Sequence, residues 1–136
     1  MKPKTRRRRY LREAGITLLL ARLAVRMLPS FWVLTWARRK PRHARRFAAG
    51  EVGWVSWAIE TAGAAPSVNA PSLPRALATL AMLRRRGIAS ELVLGVAYDR
   101  GVPAPHAWVE VGGDKIVGGV PGAELRPIAA FGGGRG

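Results

Sequence analysis

Apolar positions recur along this chain with two periods, helical as far as Gly87 and alternating after it. In residues 10–27, Leu11, Ile16, Leu19, Leu20, Leu23 and Met27 share one broad helical face while Arg12, Arg22 and Arg26 lie elsewhere, and Pro29 and Ser30 close the segment. Residues 47–62 place Val52, Val55, Trp57, Ala58, Ile59 and Ala62 at near-helical spacing and stop at Gly63, which predicts a second core helix. The stretch 64–71, with Pro66, Ser67, Asn69 and Pro71, reads as a loop. Another helix opens at Ser72, a residue suited to an N-cap, tolerates Pro74 in its first turn and buries Leu73, Ala76, Leu77, Leu80, Ala81 and Leu83. It closes on Arg84, Arg85 and Arg86, whose charges complement the helix dipole without any ligand, and on Gly87 as the natural C′ residue.

Alternation then takes over. Residues 88–97 predict a strand, 99–105 a turn, 106–111 a second strand, Gly112-Gly113-Asp114 a hairpin turn, and 115–117 the return strand. The expected fold is α+β: N-terminal helices ahead of a small antiparallel sheet, with the Ser72 helix packed across it. The organisation expected is a basic disordered arm (1–9), a basic amphipathic helical region packing on the core (10–46), the core itself (47–120) and a C-terminal loop and flexible tail (121–136). A chain of 136 residues closes one modest core.

Charge changes this picture only at one end. Residues 1–46 hold 15 Lys/Arg against the single Glu13, whereas residues 47–136 hold eight against seven acids. Such asymmetry marks an arm or face that meets something acidic. An arginine-flanked amphipathic helix beside tryptophans also resembles an interfacial membrane binder. The preferred reading packs the apolar face on the domain and turns the arginines to a partner, with contact at a membrane surface as the rival. Arg22 and Arg26 interrupt the apolar run, which argues against a spanning helix or a secretory signal and points to a cytoplasmic protein. Zero cysteines exclude disulfides and cysteine zinc sites, and two histidines without clustered acids predict no metal and no cofactor.

The chemistry concentrates in two places. A nucleophile at a helix mouth is stabilised by unpaired backbone N–H groups and the dipole, and Ser72 stands there. His106, early in its own strand, is the general base that the fold could deliver beside it. The plain alternatives are a capping serine and a packed strand histidine.

The string SLPRALATLAMLRRRGIASELVLGVAYD, followed by PHAWVEVGGDKIVGG, resembles the transglutaminase-like leader peptidases of lasso-peptide biosynthesis, a papain-like group. In that family a Cys-Leu-x-Arg-(Ala/Ser)-Leu pattern opens the helix and an Ala-His-Ala-Trp-Val-Glu segment supplies the histidine; the match covers about residues 50–120. The resemblance implies a cysteine peptidase that removes the leader from a ribosomally made precursor, working with a small leader-recognition protein and a lasso cyclase. Ser72 occupies the cysteine position. An alcohol is far harder to deprotonate than a thiol, so the chain as written is expected to have little or no activity. Either the nucleophile has been replaced, the reading favoured, or a lineage has lost it.

The resemblance also implies an acid on the strand after the histidine. A two-residue turn at Gly112-Gly113 sets His106 opposite Gly119, and a three-residue turn sets it opposite Val120, neither of them acidic. Glu124 returning from the following loop, Asp114 at the hairpin tip, Asn69 ahead of the Ser72 helix, or a backbone carbonyl are the candidates for the third member. Two other readings stand beside the peptidase: a peptide-binding pseudoenzyme, and a basic nucleic-acid-binding protein. Against the last, the arginine clusters lack interleaved base-stacking aromatics.

Overall fold

The computed structural model describes residues 3–39, 49–118 and 123–132. Four helices, α1 (Pro3–Met27), α2 (Ser30–Arg38), α3 (Ala49–Ala64) and α4 (Ser72–Arg85), precede four strands, β1 (Glu91–Asp99), β2 (Val102–Val111), β3 (Asp114–Val117) and β4 (Glu124–Gly132). The strands form one antiparallel sheet in the order β3-β2-β1-β4. This is the α+β arrangement expected, with α4 laid against β2 and with α1 and α3 packed on α4.

The core lies between α4 and the sheet. Ala76, Leu77, Leu80 and Leu83 are buried, as are Leu92 of β1 and Ala107, Val109 and Val111 of β2. Because strand residues alternate faces, 107, 109 and 111 look towards the helices while 106, 108 and 110 share the opposite face. Arg75 ties the α3–α4 connection to the head of α4. Its Nε donates to Ala70 O (2.8 Å), one terminal nitrogen donates to Gly63 O (2.8 Å), and the other lies 3.5 Å from Glu60.

Several expectations are corrected. The stretch read as a disordered arm is helical from Pro3 onward. Arginine is a good helix former, and Arg7 rests 5.2 Å from the Trp57 ring centroid on α3. More consequentially, α1 is turned over. The stripe Ile16, Leu19, Leu20, Leu23 and Met27 is exposed, and the domain is met instead by Ala14, Leu18 and Ala21. Small residues let α1 approach α3 and α4 closely. Glu13 fixes the rotation by pairing with Arg86 at 2.5 and 2.9 Å and with Arg85 at 3.2 Å, while Tyr10 stacks on Trp54. The short segment 31–37, with Trp32 and Trp36, lies in helix α2, which buries Val33 and Ala37.

The turn expected over 99–105 contracts to Arg100-Gly101, both at positive φ (52° and 78°), and β2 begins at Val102 with Pro103 and Pro105 inside it. Those prolines are tolerated because β3 pairs only with residues 109–111, leaving that edge of β2 without a strand to receive their missing N–H groups. The C-terminal segment read as loop and tail holds strand β4, paired along β1, with Pro127 beside an irregularity of the ladder at Leu94/Gly95. A proline-bearing edge strand is weakly patterned, which is why alternation did not announce it. Lys40, Pro41, His43, Gly119, Val120 and residues 133–136 lie outside the described residues.

Candidate active site

The head of α4 meets β2 beyond the end of β3. The N-cap of α4 is Pro71, with no side-chain capping bond, so Ser72 is the first helical residue and not the cap expected of it. Its hydroxyl is released from capping and instead accepts a hydrogen bond from Ala107 N–H at 3.3 Å. That contact brings Ser72 Oγ to the residue next to His106. In the first turn of α4, Pro74 has no N–H to offer, and Arg75 N–H bonds to Pro71 O at 3.2 Å. The N–H groups of Ser72 and Leu73 have no carbonyl of a preceding turn to meet. They are the donors that this helix start offers to a developing oxyanion.

His106 lies on the other face of β2, partly buried. Its Nε2 is 2.6 Å from the carbonyl oxygen of Gly118. A carbonyl only accepts, so Nε2 carries the proton of the neutral ring and Nδ1 is left as the nitrogen with a free lone pair. This tautomer is the one a general base needs, provided that Nδ1 serves the nucleophile. No hydrogen bond joins Ser72 to His106 in this conformation. Trp108 stacks beside His106 with ring centroids 6.4 Å apart, is almost fully buried, donates through Nε1 to Glu110 at 3.0 Å and lies under Lys115 Nζ at 5.5 Å. The Trp108 ring fits because Gly95, directly across the ladder from His106, has no Cβ. One placed there would come 2.8 Å from Trp108 Cη2 and 2.1 Å from the Arg126 carbonyl oxygen.

None of the three side chains named for the third position is hydrogen-bonded to His106. Asp114 is exposed at the hairpin, opposite Val111. Glu124 sits on β4, two strands from β2 in the row of Tyr98, and pairs with Arg126 at 3.2 Å. Asn69 is exposed, at φ 39°. The hairpin register explains part of this. Val111 faces Asp114 as a two-residue turn demands, but an irregularity at Val109/Glu110 shifts the ladder so that Val109 faces Val117, and β3 ends there. Gly118 then leaves the ladder at φ 92°, and its carbonyl reaches the ring. The Gly-Gly pair after β3 was the visible signal for this departure; the acceptor itself, a peptide oxygen, leaves no mark in a sequence.

Among the described residues no group of three or more His, Cys, Asp or Glu side chains is placed to hold a metal ion. Besides Arg75, two anchored cations, Arg84 and Arg86, lie away from Ser72, at the other end of α4. Arg84, pushed down to about 10 by burial, donates to the carbonyls of Trp36 and Ala37 at the end of α2 and lies 4.9 Å from the Trp36 ring centroid. The hydrogen bonds from Arg86 hold the Glu13 carboxyl below its ordinary range against an opposing desolvation, with Arg85 and Arg9 adding attraction.

No curated protein and no solved structure matches the chain. A family model described as the transglutaminase-like superfamily matches residues 15–130, a span that runs from α1 into β4 and contains both Ser72 and His106. With the matched span covering most of its length, the chain belongs to the transglutaminase-like superfamily.

Proposed function

We propose that the chain is a leader peptidase of lasso-peptide biosynthesis, built for Cys-His hydrolysis of a precursor peptide and carrying Ser72 where the thiol belongs. The observation that supports this most directly is the placement of Ser72 Oγ, free of capping and bonded to Ala107 N–H, at the residue adjoining a histidine whose tautomer is set by Gly118 O. With a thiolate at position 72, sulfur attacks the scissile carbonyl, the N–H groups of Ser72 and Leu73 receive the oxyanion, and His106 returns a proton to the leaving amine. Water then cleaves the thioester, giving free leader and core peptide. Serine in the same place asks an imidazole to deprotonate an alcohol, and the Ala107 N–H contact occupies its oxygen further.

The expected result is that Ser72→Cys gains leader cleavage when precursor and leader-recognition protein are both supplied, read by mass spectrometry of the released leader. Ser72→Cys combined with His106→Ala should lose that gain. A Ser72→Cys chain that stays inert in the complete assay would falsify the peptidase reading. The contact between Ser72 and Ala107 favours a second reading in that event, a protein that keeps the fold to hold a peptide without cutting it, tested by precursor binding to the unaltered chain.

A further inference from the structure

We propose that the outward face of α1, together with the α1–α2 corner, docks on an anionic lipid bilayer. Ile16, Leu19, Leu20, Leu23 and Met27 follow at intervals of three, one, three and four, the spacing of a single helical stripe, and they point away from Ala14, Leu18 and Ala21, which face the domain. The stripe runs for about 16 Å along the helix axis. It does not end with the helix: Leu28, Phe31 and Trp32 carry it around the corner, with Met27, Phe31 and Trp32 exposed by 75%, 73% and 63%. A cavity of about 440 Å³ between α1 and α2, lined by Leu20, Ala24, Leu28, Trp32 and Trp36, extends the apolar surface inward.

Domains of this size rarely leave a continuous apolar surface of this kind in water. The charge around it identifies its occupant. Arg12 and Arg26 flank the stripe on α1, and Arg38 and Arg39 close α2. None of these four has a carboxylate partner among the described residues, and the one acid in residues 1–46, Glu13, is already engaged by Arg85 and Arg86. Apolar and aromatic side chains bordered by arginines match the acyl boundary and the phosphate layer of an anionic leaflet, where basic side chains and buried apolar area add. No described helix is long and apolar enough to cross a membrane, so α1 would lie in the plane of the surface. The inference is independent of the peptidase reading.

Flotation of the full chain with vesicles tests it. Binding to equimolar phosphatidylcholine and phosphatidylglycerol should exceed binding to phosphatidylcholine alone by about tenfold or more, with a blue shift of tryptophan emission that Trp32→Ser diminishes. The triple variant Leu23→Ser, Phe31→Ser, Trp32→Ser should lose most of that binding while keeping its circular dichroism and melting curve, since all three side chains are exposed. Equal flotation of the triple variant and the unaltered chain would overturn the proposal, as would absence of binding to the anionic vesicles. If vesicles fail to bind and gel filtration shows a dimer that the triple variant abolishes, the face belongs to a second copy of the chain. If they fail to bind and the triple variant instead weakens capture of the leader-recognition protein, it belongs to that protein.

Discussion

Gly95 shows how little separates this site from a different one. It stands across the β1–β2 ladder from His106, and a methyl group there would collide with main chain on β4 and with the edge of Trp108 at the same time. Backbone on β4 cannot yield as a flexible side chain would. Gly95→Ala should therefore cost about 3 kcal/mol, at the upper end of overpacking penalties, seen as a lowered denaturant midpoint. The indole should shift with it, so near-ultraviolet circular dichroism should change even where the variant stays folded. The placement of Ser72 at a helix start and of His106 in a strand was legible in the sequence because both elements carry a clear apolar pattern around them. Arg75 was visible only as a letter of the pattern, and the structure gives it a task, holding the carbonyls of Gly63 and Ala70 so that α4 starts where it does. The acceptor at His106 Nε2 escaped detection because it is a main-chain carbonyl and not a side chain.

Among the elements, α2 and β4 were the ones the pattern did not reveal. The first is only nine residues long, too short to be stable on its own, and depends on what grips its end. Arg84, from the last turn of α4, bonds the carbonyls of Trp36 and Ala37 in the last turn of α2 and covers the Trp36 ring. Dipole complementarity alone accounts for a cation at that place in α4, so nothing in the sequence distinguished the clamp from its neighbours Arg85 and Arg86. Arg84→Leu keeps the bulk but removes the side-chain donor from Ala37 O and leaves Trp36 O with the Arg39 N–H alone, and should destabilise the protein by about 2 kcal/mol. Hydrogen exchange should then quicken in α2 well before it does in α4. The orientation of α1 was misjudged for a related reason: periodicity states which residues share a face, not which face is buried. Glu13 and the small residues decided that, and a stripe read as core became surface.

For the molecule as a whole, the excess of positive charge resides almost entirely in residues 1–46, and the Glu13 carboxylate pins that segment to the rest. Glu13 has a folded-state pKa below its ordinary 4.5, chiefly through its hydrogen bonds with Arg86. A depressed acid stabilises the fold fully above the unfolded pKa, and the contribution is lost as pH falls through the lower folded value. The unaltered chain should therefore be more stable than Glu13→Gln at neutral pH, by about 2 kcal/mol, and the difference should shrink as the pH drops below 4.5. Denaturant titrations of both proteins at several pH values measure it. The contact between His106 and Gly118 has a consequence of another kind. An orienting group made of main chain is indifferent to which residue supplies it, provided that the backbone can turn there, so the demand at this point passes from chemistry to conformation. At φ 92°, with Ala107 O 2.7 Å from where a Cβ would stand, only glycine meets it without strain. A side-chain scan would score position 118 as a folding residue and pass over its hold on the imidazole.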